Sequence, residues 1–489
     1  MDIAPEYLKV MRVIYPEAEN APFLVRGLIL DEFGNYIPDY SAQDKPLEWS
    51  AIHYCKMGVL GKPHNDFSKQ EFEPMRPPLE ISVLLDNSAA ADNNYLAFDY
   101  IKDYIFRLSP TDKVSCAYYN HLYHELLPSH FAKKAALILS EKDIPRPSGL
   151  SGLFRAAYHS LKDMENGGDN STDALMIITF SPDNSSLIYD ANDVAMLARS
   201  KGIPIYIIAV GSAIHSYPLR YMAGYSGGRY YNIPDEKVQD IYDIMREIVF
   251  SRRAYYEFEL PADDPDFSRC RKSKSELTIE TRKSSASDEF YIYKDPLPQY
   301  MPYQAVAAFG YRDTTVSQEF YPLIESLAKV LMDNLDFGIE LIGHSSIEGN
   351  EQLNRMFSVK RAEAVKRLIV SHGVPADQIR VRGEGANQPI YYLQQIPWQQ
   401  YYNRRVEIRW LDPAMKPFEI IADRNWTETD ALEDVEKWEK KGYNAYFERY
   451  LRNNIPVYRV KLWGYATIEE ARNEVESLSS KYDIKFEVE

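Results

Sequence analysis

Hydrophobic and polar positions change period along this chain, and the changes divide it. FLVRGLILDEFGNYIPDY near the start reads as a strand, an Asn-containing turn and a second strand. From LEISVLLDNSAA to about residue 252, short apolar strand-like runs alternate with stretches of helical spacing. That alternation predicts a doubly wound α/β sheet, whose ligands would sit at the strand carboxyl ends. AYYEFEL, SELTIETR and EFYIYK then return to strands. A chain that leaves and resumes β structure in this way predicts a β-sandwich with the α/β domain inserted in one of its loops. Two separate small β pieces packed on the α/β domain are the alternative.

Beyond the proline-rich KDPLPQYMP, FGIELIGHS reads as a strand, and Phe357, Ala362, Val365, Leu368 and Ile369 fall close to helical spacing between Leu353 and Ser371. Gly373 should end that helix, being tolerant of positive φ. QIRVRGEG and RRVEIRW follow as strands, and Phe320 to Leu335 as an earlier helix, which together predict an α+β sandwich with helices on one sheet face. The last part repeats itself. PFEIIADRNWTETDALEDVEKWEKKGYNAYFE and VYRVKLWGYATIEEARNEVESLSSKYDIKFEVE each read strand, helix, strand, so two βαβ units should pair into one small sheet. The expected domains are 1–76 with 253–300, then 77–252, 301–412 and 413–489.

At 489 residues and 56.6 kDa, several domains can each bury a core. Hydrophobic content of 45% with 26% charged residues is ordinary for soluble protein. A net charge of −16 argues against nucleic acid or anionic lipid as the main partner, since both need a basic surface. The three Cys, at 55, 116 and 270, support neither a disulfide framework nor zinc spacing, and Cys116 in VSCAYY reads as a small buried hydrophobe. His121 and His124 in NHLYHELLPSH are three apart but lack a third metal ligand, so a solvated helix is expected there. No nucleophile elbow or phosphate loop appears, so the chain is expected to be noncatalytic and to need no cofactor. No apolar run could span a bilayer, and MDIAPEYLKV lacks a signal pattern.

Three resemblances add to this reading. GHSSIEGNEQLNRMFSVKRAEAV at 343–365, RVRGEGANQPI at 380–390 and NRRVEIRW at 403–410 resemble, in order and spacing, the OmpA C-terminal-like family of peptidoglycan-binding modules. The resemblance implies that a motif Asp holds the ammonium group of a peptide-stem diamino acid while a helical Arg holds its carboxylate. Here the Arg is Arg361 and the Asp position is Ser346, with Asn354 and Arg404 completing the expected site. Half of the charge clamp is thereby lost, so weak binding of the wall peptide is expected, and tight binding would point to Glu348, two positions on, as the residue that has taken over the ammonium. By pattern alone Arg361 is a solvated helix cation. The resemblance turns it into an anion contact, which a guanidinium fork suits. A wall-binding module requires export, so the chain is expected to be a mature form without its signal.

Residues 77 to 252 resemble the von Willebrand factor A (VWA) family, with a Rossmann-like sheet. LEISVLLDNSAA matches the start of that family's metal-ion-dependent adhesion site at Asp86 and Ser88, and Ser151 keeps a hydroxyl at the Thr position. Ala90 and Phe180 replace two further ligands, so the metal site is expected to be degenerate and the domain to bind other envelope proteins without a metal. The surrounding strands would then form an immunoglobulin-like sandwich. YRVKLWGYATIEEA resembles the SPOR (sporulation-related repeat) family, which implies recognition of peptide-stripped glycan. Tyr458, Arg459, Trp463 and Tyr465 are the candidates for that surface, the other reading being that Trp463 and Tyr465 pack under a neighbouring strand. The function expected is a scaffold in the bacterial periplasm, with outer-membrane association open, that ties a protein assembly to peptidoglycan. The competing expectation is a protein–protein scaffold whose modules have lost their ancestral ligands. A metal-dependent adhesin is disfavoured by Ala90 and Phe180.

Overall fold

The computed structural model describes residues 7–16, 22–38, 47–53, 59–60, 68–72, 78–165, 172–211, 216–260, 272–280, 285–293, 296, 304–335, 337–411, 418–452, 455–482 and 485–488. Cys55, Cys270 and most of the KDPLPQYMP linker lie outside them.

Strands on either side of the α/β segment pair with one another. Phe23–Leu30 is hydrogen-bonded to both Tyr7–Ile14 and Tyr255–Leu260, and Leu47–His53 to Lys272–Glu280. The two resulting four-stranded sheets share one apolar core, in which Val25, Ile29 and Phe258 meet Leu277, Phe290 and Ile292. This is a sandwich interrupted by an inserted domain.

The inserted domain is a six-stranded sheet in which Glu80–Asp86 and Ala174–Thr179 are central neighbours. Numbering its strands locally along the chain, their spatial order is 3-2-1-4-5-6, the doubly wound order. Ala174–Thr179 and Ile205–Val210 are buried at every position because helices cover both faces. Only Tyr123–Phe131, at the edge, is antiparallel. This corrects the expectation of a solvated helix around His121 and His124. His124 lies on that edge strand with its ring stacked on Tyr118 at 4.7 Å, while His121 is buried just before it. A period of two in LYHELLPSHF was interrupted by Pro128 and masked by the two His.

The next sheet has the order Ala305–Ala308, Arg405–Trp410, Ile339–His344, Ile379–Gly385. Helices Tyr321–Asp333 and Glu351–Ser371 contribute Leu327, Ala362, Val365 and Ile369 to the same core as Leu341 and Val406. Asn350 caps the long helix by accepting the Leu353 amide at 2.8 Å, and Gly373 follows its end with φ of 99°. Gly343 lets strand and helix touch, since a Cβ there would lie 1.8 Å from the Ser358 carbonyl oxygen. The expected strands and helices are present. The strand Ala305–Ala308, which was not anticipated, closes the sheet by pairing with Arg405–Trp410.

The last unit is a βαββαβ sheet with the order Ala445–Arg452, Ile455–Tyr465, Phe418–Asn425, Glu487–Val488, the split βαβ arrangement anticipated from the repeat. Trp438 of helix Glu428–Lys440 fills its core against Tyr443, Tyr482 and Phe486.

Candidate functional site

Two polar concavities were anticipated, and the structure treats them differently. The first lies beside helix Glu351–Ser371, where a cleft is lined by Tyr311, Ser345, Ser346, Glu348, Leu353, Asn354, Phe357, Arg361 and Arg404. All four residues expected to bind peptidoglycan are therefore together. Arg361 is not the solvated cation its pattern suggested, for it is only 2% exposed. Its Nε donates to the Asp313 carbonyl at 3.0 Å, Nη1 to the His344 carbonyl at 3.1 Å and the Ser345 hydroxyl at 3.0 Å, and Nη2 to the Gly310 carbonyl at 3.3 Å. Four of the five guanidinium donors are thus spent on the loops that frame the cleft, and one remains. Phe309 and Phe357 flank the charge. Burial and the nearby Arg404 bring Arg361 down to about 10, against the opposing pull of Asp313, so it is still a cation at neutral pH.

Arg404 approaches from just before the last strand. Its Nε donates to the Phe309 carbonyl at 3.0 Å, and Nη1 reaches Ser346 Oγ at 3.3 Å and Glu348 Oε2 at 3.0 Å. Its Nη2 has no partner among the described residues. Burial lowers its pKa and Glu348 opposes that. Ser346 donates its hydroxyl to the same Glu348 oxygen at 3.0 Å. The carboxylate missing at Ser346 is therefore present in the cleft, supplied from two positions on. Asn354 lines the cleft, and its backbone carbonyl accepts the Ser345 hydroxyl at 3.0 Å. The motif residue His344 is structural: it is buried beside Glu407, 3.4 Å away. Burial would raise Glu407, but Arg405 and His344 hold it at about 2. Tyr311 and Phe309 come from a loop outside the family motifs, and no local pattern marked them.

The second concavity, at the switch point beside Asp86, is closed. Asp86 Oδ1 accepts the Ser88 amide at 2.8 Å, while Oδ2 accepts the Phe180 amide at 3.0 Å, the Ser181 hydroxyl at 2.8 Å and the Thr179 hydroxyl at 3.3 Å. Ser88 Oγ bonds Ser181 Oγ at 3.0 Å, and Ser151, also buried, donates its amide to Asn184 Oδ1 at 2.8 Å. The Phe180 ring packs instead into the core on one sheet face. Burial raises the Asp86 pKa, partly countered by these donors. Above them sits the neighbouring unit. Ala89, Leu150 and Leu187 belong to the same apolar cluster as Ala305, Ile324 and Tyr402. Tyr402 accepts the Gly149 amide, Trp410 donates to the Leu187 carbonyl at 2.9 Å, and Ala305 donates to the Asn184 carbonyl at 2.7 Å. Among the described residues, no group of three or more His, Cys, Asp or Glu side chains is placed to hold a metal ion.

The four C-terminal candidates do not share one surface. Strand alternation sends Tyr458 into the helix-backed core, where Tyr465 also packs, and turns Arg459 and Trp463 the other way. Trp463 is 5% exposed, covered by Tyr446 and by Tyr217 of the doubly wound unit, whose hydroxyl donates to Asn444 Oδ1 at 2.9 Å. Arg459 is bonded to Glu448, beside Lys461 and Glu419. The expectation of exposed rings is corrected for both: Tyr458 is taken into the unit's own core, and Trp463 is covered because packing between units claims the other face. No sequence pattern could reveal that.

The fold is that of a helix-backed mixed-sheet domain with an open cleft, set within a multidomain chain. Residues 308–404 match the OmpA family and form an OmpA-like domain. The chain is 32% identical over 84 residues to outer membrane protein A of Klebsiella aerogenes, covering 17% of this chain and 24% of that protein. It is 27% identical over 91 residues to the peptidoglycan-associated lipoprotein of Legionella pneumophila, covering 19% and 52%. It thus spans about a quarter and about half of the length of these relatives. Similar solved structures include the peptidoglycan-associated lipoprotein of Burkholderia pseudomallei, at 23% identity and TM-score 0.21 over 22% of this chain and 90% of that one. Proximal thread matrix protein 1 of the mussel byssus is similar at 14% identity and TM-score 0.32, over 38% and 49%. Among the described residues, no helix is long and apolar enough to cross a membrane.

Proposed function

We propose that this protein is a noncatalytic scaffold of the bacterial periplasm and cell envelope that ties a protein assembly to peptidoglycan through the cleft of its OmpA-like domain. The carrying observation is the pair Arg361 and Arg404, two guanidinia facing one cleft with donors unspent, a setting that suits a carboxylate of the wall peptide. The match of residues 308–404 to the OmpA family, and the name of the Legionella relative, support the choice of ligand. In this reading the VWA-like unit contributes rigidity and outer surface for other envelope proteins, because its strand-end crevice is covered. The SPOR-like unit acts as an internal clasp through Trp463 and Tyr217.

That clasp favours the competing reading at one end of the chain, where an ancestral glycan surface has become a packing surface. Co-sedimentation of the full chain with sacculi separates the possibilities. The expected result is pelleting with peptide-bearing sacculi, reduced about tenfold by Arg404→Gln and by amidase removal of the stem peptides, a change of roughly 1.4 kcal/mol. Preference for stripped sacculi would favour the C-terminal unit as binder, and no pelleting with either would favour a purely protein-binding scaffold.

A further inference from the structure

We infer that Glu348 is the residue that makes the cleft selective for a zwitterionic centre, an ammonium and a carboxylate carried on one short aliphatic chain, and that it does so in place of the carboxylate absent at Ser346. The inference rests on the peptidoglycan reading and narrows it to stem peptides whose diamino acid keeps a free amine.

The cleft keeps hydrogen-bonding capacity that the fold does not use. Glu348 is held by one oxygen only: Oε2 accepts from Ser346 Oγ at 3.0 Å and from Arg404 Nη1 at 3.0 Å. Oε1 has no partner among the described residues, and the side chain is 37% exposed at the cleft, so a donor from outside can reach it. The two contacts orient the carboxylate without filling it, and an ammonium, with three N–H donors, complements the oxygen left over. The anionic half of the ligand has its own unspent partners, the Nη2 donors of Arg404 and the remaining N–H of Arg361. Both cations and the carboxylate converge on adjacent residues, since Arg361 Nη1 contacts Ser345 Oγ at 3.0 Å while Arg404 and Glu348 meet at Ser346. Leu353 and Phe357 line the same cleft and give an apolar wall for the methylenes of the ligand. A ligand with a carboxylate alone would satisfy the guanidinia and leave Glu348 Oε1 facing a neutral group. Discrimination should therefore reside in the amine.

The test uses the full chain and two probes, the tripeptide L-Ala–D-Glu–meso-diaminopimelate and the same peptide acetylated on its free side-chain amine, each titrated by calorimetry. With the parent protein, acetylation is expected to weaken binding about tenfold. Glu348→Gln keeps the shape and the contacts to Arg404 and Ser346 but removes the charge; it is expected to weaken the free-amine peptide about tenfold, to leave the acetylated peptide unchanged, and so to bind both alike. Glu348→Asp should restore part of the preference. Equal loss for both probes in Glu348→Gln, or no loss for the free-amine peptide, overturns the inference, and thermal melts of both variants verify that the fold is kept. If the parent protein pellets with peptide-bearing sacculi yet shows no preference between the probes, the zwitterion inference fails and the peptidoglycan reading stands. If it neither pellets nor binds either peptide, both fall.

Discussion

The cleft beside Arg361 and the crevice beside Asp86 both gather charged and hydroxyl side chains at the carboxyl end of a parallel strand pair, yet only one of them has capacity left. In the cleft, Glu348 Oε1 is unspent on a side chain exposed to solvent, and Arg404 Nη2 and one N–H of Arg361 are left over on residues that line the same cleft. In the crevice, both oxygens of Asp86 are taken by protein donors, and the OmpA-like domain covers the loops above. An unsatisfied polar group carries its desolvation cost unless water or a ligand meets it, so open capacity persists where water or a ligand can reach it and is consumed where folding closes over it. The residue types alone do not separate the two sites. What separates them is which neighbour has been packed on top.

The strongest way to break this contrast is to pry the cover off. Leu150 is fully buried in the apolar seam between the doubly wound unit and the OmpA-like domain, and Leu150→Asp would place an unpaired charge there. The expected cost is on the order of 4 kcal/mol, read as an earlier urea transition that splits in two as the units uncouple. A variant as stable as the parent would show that the seam does not hold the units together. The C-terminal face offers the next largest effect. Trp463→Ala should cost about 3 kcal/mol by emptying the pocket between Tyr217 and Tyr446, whereas Trp426→Ala, at a residue 70% exposed, should change stability by less than about 0.5 kcal/mol. Equal small effects at both would return Trp463 to the list of available ring surfaces.

A third test uses pH at the seam itself. His121 bonds the Glu319 carbonyl through Nε2 at 3.2 Å and packs on Phe320, and burial lowers it from 6.5 to about 4. A depressed His binds fewer protons folded than unfolded, so its contribution is fully present above 6.5 and is lost as pH falls toward 4. Between pH 6.5 and 4.5 the parent should lose about 2 kcal/mol more than His121→Gln, measured by urea unfolding at each pH. Asp183, raised by burial to about 6 in the same seam, acts in the opposite sense, which is why the difference between the two proteins is the quantity to follow. The smallest expected effect is none. Millimolar magnesium should leave Tm unchanged within error, because a ligand that does not bind the folded state adds no stabilisation. A saturable upward shift abolished by Asp86→Ala would reopen the crevice as a metal site.

Periodicity and short motifs carried much of the architecture. The strand Ile339–His344, the helix Glu351–Ser371 with Gly373 behind it, and the paired βαβ repeat each depend on contacts within a few residues or on one repeating face, so a single sequence displays them. The same locality grouped Ser346, Asn354 and Arg361, whose loop and helix are continuous in the chain, and brought in Arg404 through the family spacing. What only the tertiary structure decided is long-range: the strand Ala305–Ala308 exists because it pairs with Arg405–Trp410, and the edge strand Tyr123–Phe131 because it pairs with Lys113–Tyr119. Arg361 is buried because the loop at Gly310 to Asp313 folds over it, and Trp463 because Tyr217, some 250 residues earlier in the sequence, lies against it. A side chain's type and spacing fix what it can bond to. Whether that capacity meets solvent or another part of the same chain depends on packing between surfaces whose complementarity no local window contains.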